Sequence, residues 1–98
     1  MEDFVYYGEL FNIYVSLLNE SNKKYYKLYY EENLSMQEIA DLENVSKSYV
    51  GNIIKKTSTI LDDYENKLHI YKVRSSLDKA LLESDINKVK SIIESILE

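Results

Sequence analysis

A chain of 98 residues, 45% of them hydrophobic, can bury one modest core, so a single domain over residues 1–98 is expected. The absence of cysteine excludes disulfide staples, thiolate metal sites and cysteine nucleophiles, and agrees with a reducing, cytoplasmic setting. A formal net charge of −5 argues against a general nucleic-acid-coating protein, because affinity of that kind comes mainly from basic side chains on phosphates. With no proline and only two glycines, the chain reads as all-α. The N-terminus MEDFVYYGEL has no basic region ahead of an apolar core, and no segment approaches the roughly 18 apolar residues of a membrane span. A soluble protein without membrane contact is the expectation.

From Asp3 to Leu18, Phe4, Tyr7, Phe11, Tyr14 and Leu18 recur at spacings of three and four, with Leu10 and Leu17 widening the stripe. This predicts an amphipathic helix. Gly8 sits inside it at a propensity cost of about 1 kcal/mol, which suits either a close helix crossing or a solvent-facing site. Asn19-Glu20-Ser21-Asn22 breaks the pattern and offers caps for a second helix from about Asn22 to Glu32, in which Tyr25, Leu28 and Tyr29 share one face. Its mixed lysines and tyrosines would suit base stacking with phosphate contact, but aromatic residues at helical spacing more often form core.

Leu34 to Lys56 carries the clearest signal. Ser35 followed by Glu38 is a capping box, and Met36, Ile39 and Ala40 continue at helical spacing. Glu43-Asn44 then interrupts, Asn44 being able to adopt the left-handed backbone of a sharp turn, and Ser46 caps a second helix pinned by Val50 and Ile53. This is a helix-turn-helix over 35–56. Apolar positions continue without a breaker to Leu68, so the second helix is long. Asp62, Asp63 and Glu65 near its end read as a solvated acidic face, and no metal or other cofactor is expected.

His69, the sole histidine, lies where the long helix ends or kinks, and reads as a structural junction. A helical extension over 70–98 follows, with one helix from about Ile70 to Glu83 and, after Ser84-Asp85, a last one bearing Ile86, Val89, Ile92, Ile93, Ile96 and Leu97. That last helix is too apolar to stand alone in water; it must pack on the long helix or on a second copy, so a homodimer is expected.

Charge is unevenly spread. Residues 1–20 carry Glu2, Asp3, Glu9 and Glu20 without a base, whereas 46–61 carry Lys47, Lys55 and Lys56 without an acid. If the second helix enters a major groove, Lys47, Ser48, Tyr49 and Asn52 are placed to meet base edges, and Lys55 and Lys56 to hold phosphates, with Lys23 and Lys24 as weaker phosphate candidates. No nucleophile with a base, glycine-rich phosphate loop or metal cluster appears, so an enzyme is not expected.

The segment SLLNESNKKYYKLYYEENLSMQEIADLENVSKSYVGNIIKK, followed by ILDDYENKLHIY, resembles the YlxM family of small helix-turn-helix proteins. The resemblance covers roughly Glu9 to Val73 and is most specific in YKLYYEENLS, Glu38-Ile39-Ala40, VSKSYV and YENKLHIY. The helix-turn-helix also resembles region 4 of sigma factors. The resemblance implies a regulatory or accessory role in the signal recognition particle pathway, with DNA, structured RNA or the particle's GTPase as partner. Two departures affect any inherited base preference. Asn44 and Glu43 stand where glycine and an apolar residue are usual, and Lys47, Ser48 and Tyr49 stand where arginine and glutamine are frequent.

Overall fold

The computed structural model describes residues 3–98, so Met1 and Glu2, the latter counted above in the acidic N-terminal segment, lie outside the described residues. Those residues form six α-helices: α1 Phe4–Tyr14, α2 Glu20–Tyr30, α3 Met36–Glu43, α4 Lys47–Leu68, α5 Ile70–Leu82 and α6 Ile86–Leu97. The protein is all-helical. A short 3-10 turn, Val15–Leu17, follows α1 and ends it earlier than the apolar stripe suggested. Leu18 is buried after that turn, while Leu17 is left exposed.

The helix starts follow local chemistry. Asp3, Asn19, Ser35, Ser46 and Asp85 each accept a hydrogen bond from a backbone N–H in the first turn of the helix that follows. Two helix ends are made by residues in the left-handed region, Asn44 and His69, with φ of 58° and 56°, and Asn33, φ 60°, turns the chain in the connection after α2. Asparagine tolerates this conformation best among the non-glycine residues, and His69 marks the junction between α4 and α5.

The long helix α4 is the spine. It packs against α1, α2 and α3, and its inward row Val50, Ile54, Thr57, Ser58, Leu61 and Glu65 is buried along its length. Against that row lie Leu10, Phe11 and Tyr14 from α1, Tyr25, Tyr26 and Tyr30 from α2, and Ile39 and Ala40 from α3. The α2 helix therefore begins at Glu20, two residues before the sequence reading. Because α2 is wedged among α1, α3 and α4, its buried side is broader than one stripe and centres on Tyr25, Tyr26 and Tyr30, while Leu28 and Tyr29 are half-buried. Tyr26 stacks on Tyr30 at 4.3 Å and meets Phe11 at 5.3 Å between ring centroids.

The core is also laced by tyrosine hydroxyls that reach α4 or its surroundings. Tyr7 donates to Asp62 Oδ2 at 2.8 Å, Tyr26 and Ser58 share a bond of 2.7 Å, and Tyr64 donates to the Leu17 carbonyl at 3.2 Å. Tyr14 donates to Glu65 Oε1 at 2.6 Å. The acidic group at the end of α4 is thus not one solvated face. Asp63 alone is exposed, in an ion pair with Lys67, whereas Glu65 is buried and Asp62 is half-buried.

Glu65 also accepts from the backbone N–H groups of Tyr71 at 3.0 Å and Lys72 at 3.1 Å, while the Ile70 N–H donates to the Tyr14 hydroxyl at 3.3 Å. Those are the first three N–H groups of α5, which its own N-cap, His69, does not satisfy with its side chain. A carboxylate at the C-terminal end of α4 is unfavourable for that helix but favourable at the start of α5, which explains why Glu65 is tolerated there.

The remaining differences concern Gly8 and the last helix. A Cβ at Gly8 would meet nothing within 4 Å, so this glycine serves no close crossing. The last helix, α6, packs back on α5 rather than along the long helix, and none of its residues is fully buried. The molecule is accordingly elongated, 56 × 23 × 23 Å.

Two outcomes are expected in unfolding experiments. Gly8→Ala should stabilise the protein by about 0.5–1 kcal/mol in urea denaturation, since a methyl group fits and helix propensity rises. Tyr14→Phe should cost about 1.5–3 kcal/mol, the range for losing a bond to a charged group. Burial, followed by the hydrogen bond to Glu65, pushes the Tyr14 hydroxyl up to about 12. Its neutral form is therefore favoured by folding, so this contribution is whole below about pH 10 and is lost as pH rises towards 12. The stability difference between the wild type and Tyr14→Phe should narrow over that window.

Candidate nucleic-acid interface

The turn between α3 and α4 is Asn44-Val45-Ser46. Ser35 Oγ accepts from Glu38 N at 3.0 Å and Glu38 Oε1 accepts from Ser35 N at 3.0 Å, so the expected capping box is complete. These bonds hold the Glu38 carboxyl below the usual carboxylate range. Asn44 is left-handed, and Ser46 Oγ accepts from Tyr49 N at 3.0 Å. Between the two helices, Gly51 faces the Met36 sulfur, with 3.6 Å from that atom to where a Cβ would stand. Ala40 and Val50 are buried at the same contact.

With Val50, Ile54 and Leu61 turned inwards, the opposite side of α4 must face solvent. At about 100° per residue, Ser48, Asn52, Lys55 and Thr59 fall in one outward row, with Tyr49 and Lys56 beside it. All six are exposed. Lys47 is also exposed, at the first position of the helix. The predicted residues Ser48, Tyr49, Asn52, Lys55 and Lys56 are thus brought onto one side of α4, with Lys47 at its end. Thr59 is the residue that the sequence reading missed; the 3.6-residue period extended by one turn would have found it.

Tyr49 is less free than its neighbours. Its ring meets Tyr25 edge-on at 5.7 Å between centroids, and it is 46% exposed, so it joins the start of α4 to α2 as well as facing outwards. Beside it lies a depression lined by Ser21, Lys23, Lys24, Tyr25, Lys27 and Tyr49, with Glu20 at the edge. The weaker candidates Lys23 and Lys24 are both engaged. Lys23 pairs with Glu20 at 3.3 Å, and Lys24 pairs with Glu43 of α3 while its ammonium lies 5.3 Å from the Tyr25 ring centroid. The bond to Glu43 raises the Lys24 ammonium above its ordinary value. Lys27, not singled out from the sequence, is exposed and free of an ion pair among the described residues, and its place in the run Lys23-Lys24-x-x-Lys27 was the available signal.

This arrangement offers hydroxyl and amide groups near the start of a protruding helix and ammonium groups along and beside it. Such a surface can hydrogen-bond polar edges and bind phosphates. Among the described residues no group of three or more histidine, aspartate or glutamate side chains could hold a metal ion, and no helix is long and apolar enough to cross a membrane.

Comparison with known proteins places this chain in a family. The family model described as "Putative helix-turn-helix protein, YlxM / p13 like" matches residues 1–97. The chain belongs to the YlxM / p13-like family. A UPF0122 protein of Fusobacterium nucleatum is 36% identical over 98 residues, covering all of this chain and 95% of the relative. A Mycoplasma mycoides relative, also named as UPF0122, is 40% identical over 93 residues, covering 93% of this chain and 82% of its own. One from Streptococcus pneumoniae is 43% identical over 77 residues, covering 76% and 70% respectively. The match extends past Val73, where the sequence resemblance ended, so α5 and α6 are part of what this family shares.

The capped turn can be tested on its own. Ser46→Ala should leave the Tyr49 N–H without its acceptor and cost about 1 kcal/mol. In a thermal melt followed by circular dichroism this should lower Tm by about 4–8 °C.

Proposed function

We propose that this protein is a non-enzymatic, nucleic-acid-binding regulator acting in the cytoplasm as a homodimer, with the start of α4 as its recognition element. The observation that carries this reading is the outward side of α4, where Ser48, Asn52, Lys55 and Lys56 stand exposed on a helix held rigidly by a capped turn. In this reading Asn52 pairs with adenine edges, Lys47, Ser48 and Tyr49 contribute further base contacts, and Lys55 and Lys56 neutralise phosphates, with Lys27 in the depression at Tyr49 as a further cation. The family likeness supports a place in the signal recognition particle pathway, through the genes of that system.

A second reading has its own support. Lys23 and Lys24 are already paired with acids, and the chain carries a net charge of −5, which limits unspecific attraction to a polyanion. Leu42, 61% exposed on α3, gives the helix-turn-helix an apolar spot suited to a protein surface. On this view the same scaffold grips the particle's GTPase or its RNA without reading a DNA sequence.

Titration against duplex DNA from upstream of the protein's own operon, particle RNA and the particle GTPase, at two salt concentrations, separates the two. For the regulator, three to five phosphate contacts give a log–log salt slope of roughly −3 to −5. Asn52→Ala should cost about 1–3 kcal/mol on the preferred duplex alone, and Lys55→Ala should weaken all duplexes and flatten the slope by about 1. Binding confined to the GTPase or RNA and indifferent to these changes would sink the regulator and support the second reading.

A further inference from the structure

The α5–α6 hairpin presents an apolar surface that the helix-turn-helix does not use. Val73 and Ala80 on α5, with Val89, Ile92 and Ile96 on α6, are half-buried or buried on the sides where the two helices meet. Each helix carries a further apolar row that remains exposed: Ile70, Leu77 and Leu81 on α5, and Ile86, Ile93 and Leu97 on α6. Leu81 is 83% and Leu97 79% exposed. Both rows have the spacing i, i+7, i+11, which keeps their members on one line of the helix.

At about 100° per residue, each row lies roughly 70–90° around its helix from the side facing the other helix, in the same rotational sense when viewed from its own N-terminus. The connection between them is only Glu83-Ser84-Asp85 and the two helices pack on each other, the arrangement of an antiparallel helical hairpin. Equal rotations seen from opposite ends bring both rows to the same side of the hairpin. The result is a continuous apolar face.

We propose that this face is an interaction surface whose occupant is a second copy of this chain, the two hairpins closing face to face into a four-helix bundle. Area is the first argument. The exposed parts of the six residues amount to on the order of 600 Å², which with flanking side chains approaches the ~800 Å² per partner of a stable interface. Charge is the second. Arg74 and Asp78 border the α5 row, and Lys90 and Glu94 border the α6 row, so on both helices a base precedes an acid by four residues. All four are exposed, and none is in an ion pair among the described residues. Two copies related by a two-fold axis in the plane of the face and perpendicular to the helices lay each helix antiparallel on its counterpart. The base of one copy then meets the acid of the other along both edges.

This surface deepens the homodimer of the proposed function and rests on that part of it, not on the nucleic-acid ligand. Light scattering and sedimentation over a range of concentrations test it with the full chain. The wild type should reach twice the 11.6 kDa monomer mass, and Leu81→Glu with Leu97→Glu should remain at 11.6 kDa while keeping its helical circular dichroism. A second set of variants covers the case in which these two changes unfold α6. Arg74→Glu with Lys90→Glu makes both edges acidic and should weaken self-association about tenfold or more, and adding Asp78→Lys with Glu94→Lys inverts the whole pattern and should restore it. A wild type that stays monomeric at every concentration, or an all-acidic variant that dimerises as tightly as the wild type, overturns the proposal. Loss of duplex recognition with the dimer intact would count only against the α4 reading.

Discussion

The buried carboxylate of Glu65 joins three helices, α1, α4 and α5, at one point. It belongs to α4, accepts the Tyr14 hydroxyl of α1, and takes two N–H groups at the start of α5, while Tyr14 takes the third. A buried charge is costly unless hydrogen bonds surround it. Here three donors converge on it, and the N-terminal end of α5 adds a favourable dipole. The direction in which α5 leaves the core follows from this knot, and α6 follows α5.

The same logic explains a tyrosine-rich interior. Phenylalanine would fill the space between α1, α2 and α4 as well, but a tyrosine adds a hydroxyl that can seek a partner across the helix interface. Tyr7, Tyr14 and Tyr26 find Asp62, Glu65 and Ser58 on α4. Each such bond has one favourable geometry, so the tyrosines fix the axial register of the helices in a way that apolar contacts alone do not. The acidic residues of α4 are therefore part of the packing, which separates them from the question of what the protein's negative charge attracts or repels.

How much of this was legible in the sequence follows from the range of each interaction. Ser35 with Glu38, Asn44, and Ser46 with Tyr49 act within three residues or on a single backbone angle, and all of them sit where the sequence reading put them. So do the length of α4 and the junction at His69. Glu65 was misread because its partners lie 51, 6 and 7 residues away and two of them are backbone groups of another helix. The tyrosine face of α2 was misjudged because a helix wedged among three others buries more than one stripe. At the candidate interface, helical periodicity placed Ser48, Asn52, Lys55 and Lys56 together, but the tie between Tyr49 and Tyr25 and the engagement of Lys24 by Glu43 depend on how α2 crosses the pair.

The attachment of α6 to α5 rather than to α4 has a consequence for cooperativity. Stability in such a chain is not uniform. Helices α1 to α4 share one core, whereas α6 depends on a single neighbour and buries none of its residues fully. In a single copy the free energy needed to open α6 is therefore smaller than that of global unfolding, and pairing with a second copy is what would raise it. The passage between the two regimes lies within a few residues, at Glu65 to Lys72, where the core's last hydrogen bonds become the first ones of the hairpin. A ligand that orders the far end of the molecule reaches the core through that short stretch and through the packing of α5 on α1, where Tyr71 meets Tyr6.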